Sequence, residues 1–243
     1  MDAKLVARLL GLGAELDPAV LFPSLVPAAA KFAVGNPYAF SIATCLDRGT
    51  RAEVIWTVPL DLKNRLGHLD PKRVAQISAE ELRRIIEALP HKPRYVNAAP
   101  RTILELTRIV VDECGGDASR IWVDRPAAQV RQTFLRIYGV GPGIANMAVL
   151  LIEKAFGVRF SDMDRPQMDI KPDVHTRRVL HRLGMSKAET EPAAVTAARI
   201  ANPTYPGQID GILWHIGRQW CSASQPQCSA CPVDSDCAKV GLT

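Results

Sequence analysis

The sequence predicts an all-α protein built as two helical lobes. Helix start and stop signals recur along the chain, with apolar residues returning at helical spacing between them. Period-two alternation, the mark of a half-buried strand, is scarce. One irregular stretch, "VRFSDMDRPQMDIKP" at residues 158–172, holds two prolines and three aspartates. It reads as a connector between the lobes, or as a loop particular to this chain. No internal repeat or low-complexity segment interrupts the pattern.

The first segment, "MDAKLVARLLGLGAELD", reads as a short amphipathic helix. It lacks the basic start, long apolar core and small-residue cleavage site of a secretory signal. "SAEELRRIIEAL" opens with a capping box, Ser78 and Glu81, in which each side chain can satisfy an N-terminal N–H. Its apolar face is Leu82, Ile85, Ile86 and Leu89, and Pro90 stops it. "PRTILELTRIVVDECGG" has Pro100 near its start and the glycine pair 115–116 at its end, the expected asymmetry of a helix. "RPAAQVRQTFLRIYG" and "GIANMAVLLIEKAFG" are each apolar on at least one face, and "DVHTRRVLHRLG" and "QIDGILWHIGRQWC" follow them.

With 243 residues, 47% of them hydrophobic, the chain can bury one large core or two modest ones. No run of eighteen apolar residues is present, so neither a membrane span nor a membrane partner is expected. A cytoplasmic chain keeps its six cysteines reduced, as free thiols or metal ligands. The net charge of +5 and pI near 9.0 lean mildly toward polyanions.

The C-terminal run "CSASQPQCSACPVDSDC" places Cys221, Cys228, Cys231 and Cys237 with six, two and five residues between them. Four thiolates this close can wrap a 4Fe–4S cluster. Structural zinc is the competitor, but it favours two short knuckles, and only Cys228 and Cys231 make one. Cys45 and Cys114 lie in apolar helical sequence and read as buried thiols.

In "FLRIYGVGPGIANMAVLLI", Gly139 follows one helix, Gly141 takes an N-cap position and Pro142 the first turn of the next. Glycine permits positive φ and close backbone approach. Bared N–H groups at a helix start favour an anion such as a DNA phosphate. A plain helix–helix turn is the alternative.

The Gly139-Val140-Gly141 pattern between two apolar helices, with Gly143 and Ala145 after it, resembles the helix-hairpin-helix motif. The four-cysteine spacing resembles the iron–sulfur loop of endonuclease III and the adenine glycosylases. "PDVHTRRVLHRLG" resembles the segment carrying that family's catalytic aspartate, and "DGILWHIGRQWC" the helix leading into the first cluster cysteine. The resemblance runs from about residue 36 to 237 and points to the helix-hairpin-helix DNA glycosylase superfamily.

The resemblance implies that Asp173 is the catalytic acid; on local grounds it reads equally as a helix cap. His175 and Arg178 on the same helix are candidates for orienting or phosphate-contacting roles, against ordinary surface exposure. Bifunctional members carry a nucleophilic lysine where this chain has Gly143, so the resemblance implies a monofunctional enzyme. Lys171 and Lys154 lie near in sequence and read as surface residues, with a relocated amine as the alternative. Thirty positions separate Gly143 from Asp173, more than the usual family interval. Asp162, Asp164 and Asp169 fall in this insertion as alternative candidates for the acid, but only the residues after Asp173 match the family. The family's gap-filling glutamine corresponds to Arg48, which can stack with bases and contact phosphate; a solvated arginine at a helix boundary is the alternative. Tyr95 either lines the base pocket or belongs to the core.

The expected architecture is a six-helix core over 34–157 ending in the hairpin, and an iron–sulfur domain from 1–33 plus 158–243, flanking a DNA-binding cleft. The expected function is excision of a damaged or mispaired base from double-stranded DNA by a nucleoid-associated monomer. A non-catalytic DNA-binding protein of the same fold is the rival. An electron-transfer iron–sulfur protein would leave the hairpin unexplained.

Overall fold

The computed structural model describes residues 2–242. Among the described residues it is all-α, with twelve α-helices and no strand. None of these helices is long and apolar enough to cross a membrane. The chain divides into two compact units: Phe22–Ser161, and the described residues up to Leu21 together with those from Asp162 onward.

Helix α1 (Ala3–Glu15) begins where the Asp2 carboxylate accepts the Lys4 N–H at 2.8 Å. Helices α2 (Pro27–Gly35) and α3 (Pro37–Leu46) meet at Asn36. The Asn36 side-chain oxygen accepts the N–H groups of Tyr38 and Ala39, each at 3.0 Å. Every residue of α3 from Tyr38 to Leu46 is buried, making it the central helix of its unit. Around its Phe40 ring stand Phe22, Trp56, Trp122 and Phe156, with centroids 5.0 to 6.2 Å away. Edge-on aromatic packing of this kind buries much apolar area per residue.

Helices α4 (Ala52–Leu66), α5 (Pro71–Val74) and α6 (Ala79–Glu87) continue this unit. The Ser78 hydroxyl caps α6 by accepting the Glu81 N–H at 3.1 Å, and Leu82 and Ile86 are buried on its inner face. Helix α7 (Ala99–Arg108) stops short of the glycine pair. Residues Ile109–Glu113 form a π-helical turn, and the Gly116 N–H donates to the Val110 carbonyl at 2.8 Å. Gly115 and Gly116, at φ of 66° and 95°, let the chain curl back far enough to reach that carbonyl. Helices α8 (Ala127–Leu135) and α9 (Pro142–Phe156) complete the unit, and Gly157 at φ 63° ends α9.

In the second unit, α10 (Val174–Arg182), α11 (Glu191–Ala201) and α12 (Asp210–Gln219) pack with α1. Leu5 and Leu9 meet Val179, Leu180, Ile212 and Leu213 in one buried cluster. The boundary between units falls inside the irregular stretch, after Ser161. From there the chain is pinned to its own unit. The Arg165 N–H donates to the Thr204 carbonyl at 2.6 Å, and the Gly207 N–H to the Met168 carbonyl at 2.7 Å. The Arg165 guanidinium is buried over the Tyr205 ring, 4.9 Å from its centroid. Met168 and Ile170 are buried as well, and both belong to the core, whereas Met163 is exposed.

Candidate functional site

The hairpin lies in the first unit. Helix α8 ends at Leu135, Gly139 turns at φ +78°, and Gly141 caps α9 from an extended conformation. Between the two glycines Val140 points inward and is buried. Gly139, Gly141 and Pro142 are exposed. The N–H groups of Gly139 and Gly141 find no acceptor among the described residues. Gly143, in the first turn of α9, adds an N–H that a helix leaves unpaired by its own geometry. A Cβ at Gly141 would enter open space, and its φ of −90° suits any residue. Nothing within the protein therefore asks for glycine at 141. Unpaired N–H groups at Gly139, Gly141 and Gly143, three residues without side chains, are donors suited to an anion.

Arg48 follows α3 and reaches this turn from behind. Its Nη1 donates to the Gly139 carbonyl at 2.6 Å, and its Nη2 to the Thr102 hydroxyl at 3.2 Å. Its Cζ lies 5.5 Å from the centroid of the half-exposed Tyr95 ring. Thr102 has no sequence signal for this role; it is one polar residue on an amphipathic helix.

Asp173 lies in the second unit, at the N-cap of α10. Its Oδ1 accepts the N–H groups of His175 at 2.8 Å and Thr176 at 2.9 Å. The preceding turn is held by the Asp173 N–H and the Thr176 hydroxyl, which donate to the Lys171 carbonyl at 2.8 and 3.0 Å. No donor among the described residues reaches Oδ2. One oxygen caps the helix and the other takes no part in the cap.

His175 sits beside the acid, with its ring 6.4 Å from that of Trp214. Its Nδ1 faces Arg178 Nη2 at 3.1 Å, and because arginine has no acceptor, Nδ1 receives that bond. Arg178 itself is buried, and it donates to the carbonyls of Cys221 at 2.7 Å, Gly217 at 2.8 Å and Val174 at 3.0 Å. It ties α10 to the end of α12. A Cβ at Gly217 would come 2.7 Å from His175 Cβ, so only glycine allows the two helices this approach. Asp169, in the insertion, is gripped by Arg199 through two hydrogen bonds of 2.7 Å. Lys171 contributes its N–H to buried Asp210 Oδ2 at 3.2 Å.

The cysteine expectation is corrected. Cys221, Cys228, Cys231 and Cys237 line one hollow, but no group of three or more His, Cys, Asp or Glu among the described residues is placed to hold a metal ion. The 4Fe–4S cluster and the zinc alternative therefore both fall, and with them the description of this unit as an iron–sulfur domain. Cys221, Cys231 and Cys237 pack instead against the apolar core. Burial pushes the Cys231 and Cys237 thiols up from their ordinary range. Cys237 Sγ donates to the Arg182 carbonyl at 3.4 Å, while Arg182 Nη1 donates to Cys221 Sγ at 3.4 Å. These are the contacts of small, half-buried thiols. Cys45 and Cys114 are buried, as expected.

No family model matches the chain. A 47-residue stretch is 38% identical to the adenine DNA glycosylase of Arabidopsis thaliana; it makes up 19% of this chain and 8% of that relative. Among solved structures, an endonuclease III–DNA covalent intermediate trapped as an estranged-adenine complex superposes with a TM-score of 0.65. It is 22% identical, with 98% of this chain and 97% of that one covered. A non-covalent endonuclease III–DNA complex gives 0.58 at 24% identity, covering 84% of each chain. A thermostable thymine-DNA glycosylase gives 0.59 at 18% identity, covering 96% of this chain and 94% of that one. The chain therefore shares the fold of these endonuclease III structures, all-α and in two compact units.

Proposed function

We propose that this protein is a DNA glycosylase of base excision repair that hydrolyses the N-glycosidic bond of a damaged or mispaired base. The observation that carries the reading is Asp173, whose Oδ1 is fixed by the helix cap while Oδ2 stays open. Cleavage of an N-glycosidic bond builds positive, oxocarbenium-like charge on the sugar. A carboxylate held rigidly by one oxygen can present the other to that charge, and can orient or deprotonate the attacking water. The likeness to DNA-bound endonuclease III complexes supports double-stranded DNA as the partner. The donor turn of Gly139, Val140, Gly141 and Gly143 would hold a phosphate, with Arg48 behind it, and His175 would serve the backbone beside the acid. Flipping the base out of the stack would give the acid its access. With glycine at 143, no amine stands where a lyase would need one, so the product would be an intact abasic strand released by a monomer. The core over 34–157 would supply the grip, and the remainder the acid.

Asp173→Asn tests this. It keeps the shape and much of the cap but removes the charge, and single-turnover base release should fall by about 10²–10³. Duplex affinity should hold. The second reading, a DNA-binding protein without catalysis, is favoured by the completeness of the Asp173 cap. It predicts no base release from the unaltered chain on any modified duplex, and loss of only about 1 kcal/mol of stability in the variant.

A further inference from the structure

We propose that Arg48 is a positioning residue that sets the hairpin from behind by holding the Gly139 carbonyl, and makes no contact with DNA itself. The proposal rests on the reading of the hairpin as the duplex contact. Three backbone groups of the turn are held by side chains from outside the hairpin. Arg48 takes the Gly139 carbonyl at 2.6 Å, the Thr102 hydroxyl takes the Tyr138 carbonyl at 2.9 Å, and Glu105 Oε2 takes the Tyr138 N–H at 2.6 Å. Arg48 and Thr102 are themselves joined at 3.2 Å, so the two carbonyl clamps are one unit. Arg101 completes the set, donating to Glu105 Oε1 at 2.8 Å and lying 4.0 Å over the Tyr138 ring.

Peptide planarity turns this clamp into an orientation. With the Tyr138 carbonyl drawn toward Thr102, the trans Gly139 N–H of the same peptide must point the opposite way. That is the N–H left without an acceptor among the described residues. The clamp also explains the glycine. A Cβ at 139 would lie 1.6 Å from Arg48 Nη1, so the guanidinium occupies the space of the missing side chain. Glycine at 139 thus answers both the left-handed φ and Arg48. An Arg48 reaching into DNA would have to abandon both of these bonds.

The test is a cycle of Arg48→Ala, Gly139→Ala and the double variant, with Arg48→Lys beside it. Each is measured for affinity to an undamaged duplex across salt, and for melting temperature without DNA. Arg48→Ala and Arg48→Lys should both weaken binding by about tenfold, since lysine keeps the charge but not the two-pronged donor. The slope of log affinity against log salt should stay unchanged, because no phosphate contact is lost. Gly139→Ala expels the guanidinium, so the double variant should be no weaker than Gly139→Ala alone in either measurement. The proposal is overturned if Arg48→Lys binds as the unaltered chain does while Arg48→Ala lowers the slope by about one, the mark of a direct phosphate contact. Additive losses around the cycle would overturn it equally. If the unaltered chain binds no duplex, the duplex reading fails instead, and the melting cycle alone judges the brace.

Discussion

Gly139 and Gly141 stand two residues apart, and their surroundings are opposite. At 139 the backbone is left-handed and Arg48 fills the space beside it; at 141 the backbone is ordinary and the space is empty. Gly141→Ala should therefore change the melting temperature little, since the gain of about 0.4–1 kcal/mol from restricting the unfolded chain is offset by alanine's poorer N-capping. Gly141→Leu should be equally well folded, yet should weaken binding to damaged and undamaged duplexes alike, because phosphate contacts position without reading sequence. A leucine variant with full duplex affinity would show that the turn meets no backbone. The N-cap at 141 and the proline after it were readable from the string alone. Arg48 behind Gly139 was not, because the pair is 91 residues apart and joined only by tertiary structure.

Among the elements, the 158–172 stretch, read as a connector or a loop particular to this chain, contains the boundary between the units and is also packed in its second part. Its second part is built into the unit that carries Asp173, through Arg165 on Tyr205, Met168 in the core, and the Met168 carbonyl against Gly207. A Cβ at Gly207 would lie 2.8 Å from that carbonyl and 3.1 Å from the Asp169 carbonyl. Gly207→Ala should therefore push the stretch outward and cost about 1–3 kcal/mol, as overpacking does; an unchanged melting curve would contradict this docking. Asp169→Asn weakens a pair with exposed Arg199 and should change stability by under about 1 kcal/mol. It should leave base release within about tenfold, because both Asp169 oxygens already face a guanidinium. A larger loss would move the acid from Asp173 to Asp169. Proline and aspartate composition marked this stretch as irregular. The apolar Met168 and Ile170 that seat it are two residues alone, too few to form a pattern.

For the molecule as a whole, the proposed grip and the proposed acid belong to units with separate cores, one around Phe40 and one around Leu180 and Leu213. The all-α fold was legible because caps, prolines and glycines punctuate nearly every helix, and the local signals agree with the tertiary packing. The cysteines misled for the opposite reason. Spacing nominates ligands, whereas metal binding also needs the side chains to converge, and no group of three or more His, Cys, Asp or Glu among the described residues does so. Separate cores carry a quantitative consequence for function. Gly141→Leu should raise the dissociation constant and leave the single-turnover rate at saturating duplex near its original value. Asp173→Asn should lower that rate and leave the dissociation constant in place. In the double variant the two free-energy losses should add to within about 0.5 kcal/mol, as they do for sites that share no partners. If the double variant instead loses far less than the sum, hairpin and acid act as one catalytic device, and binding and chemistry cannot be assigned to separate units.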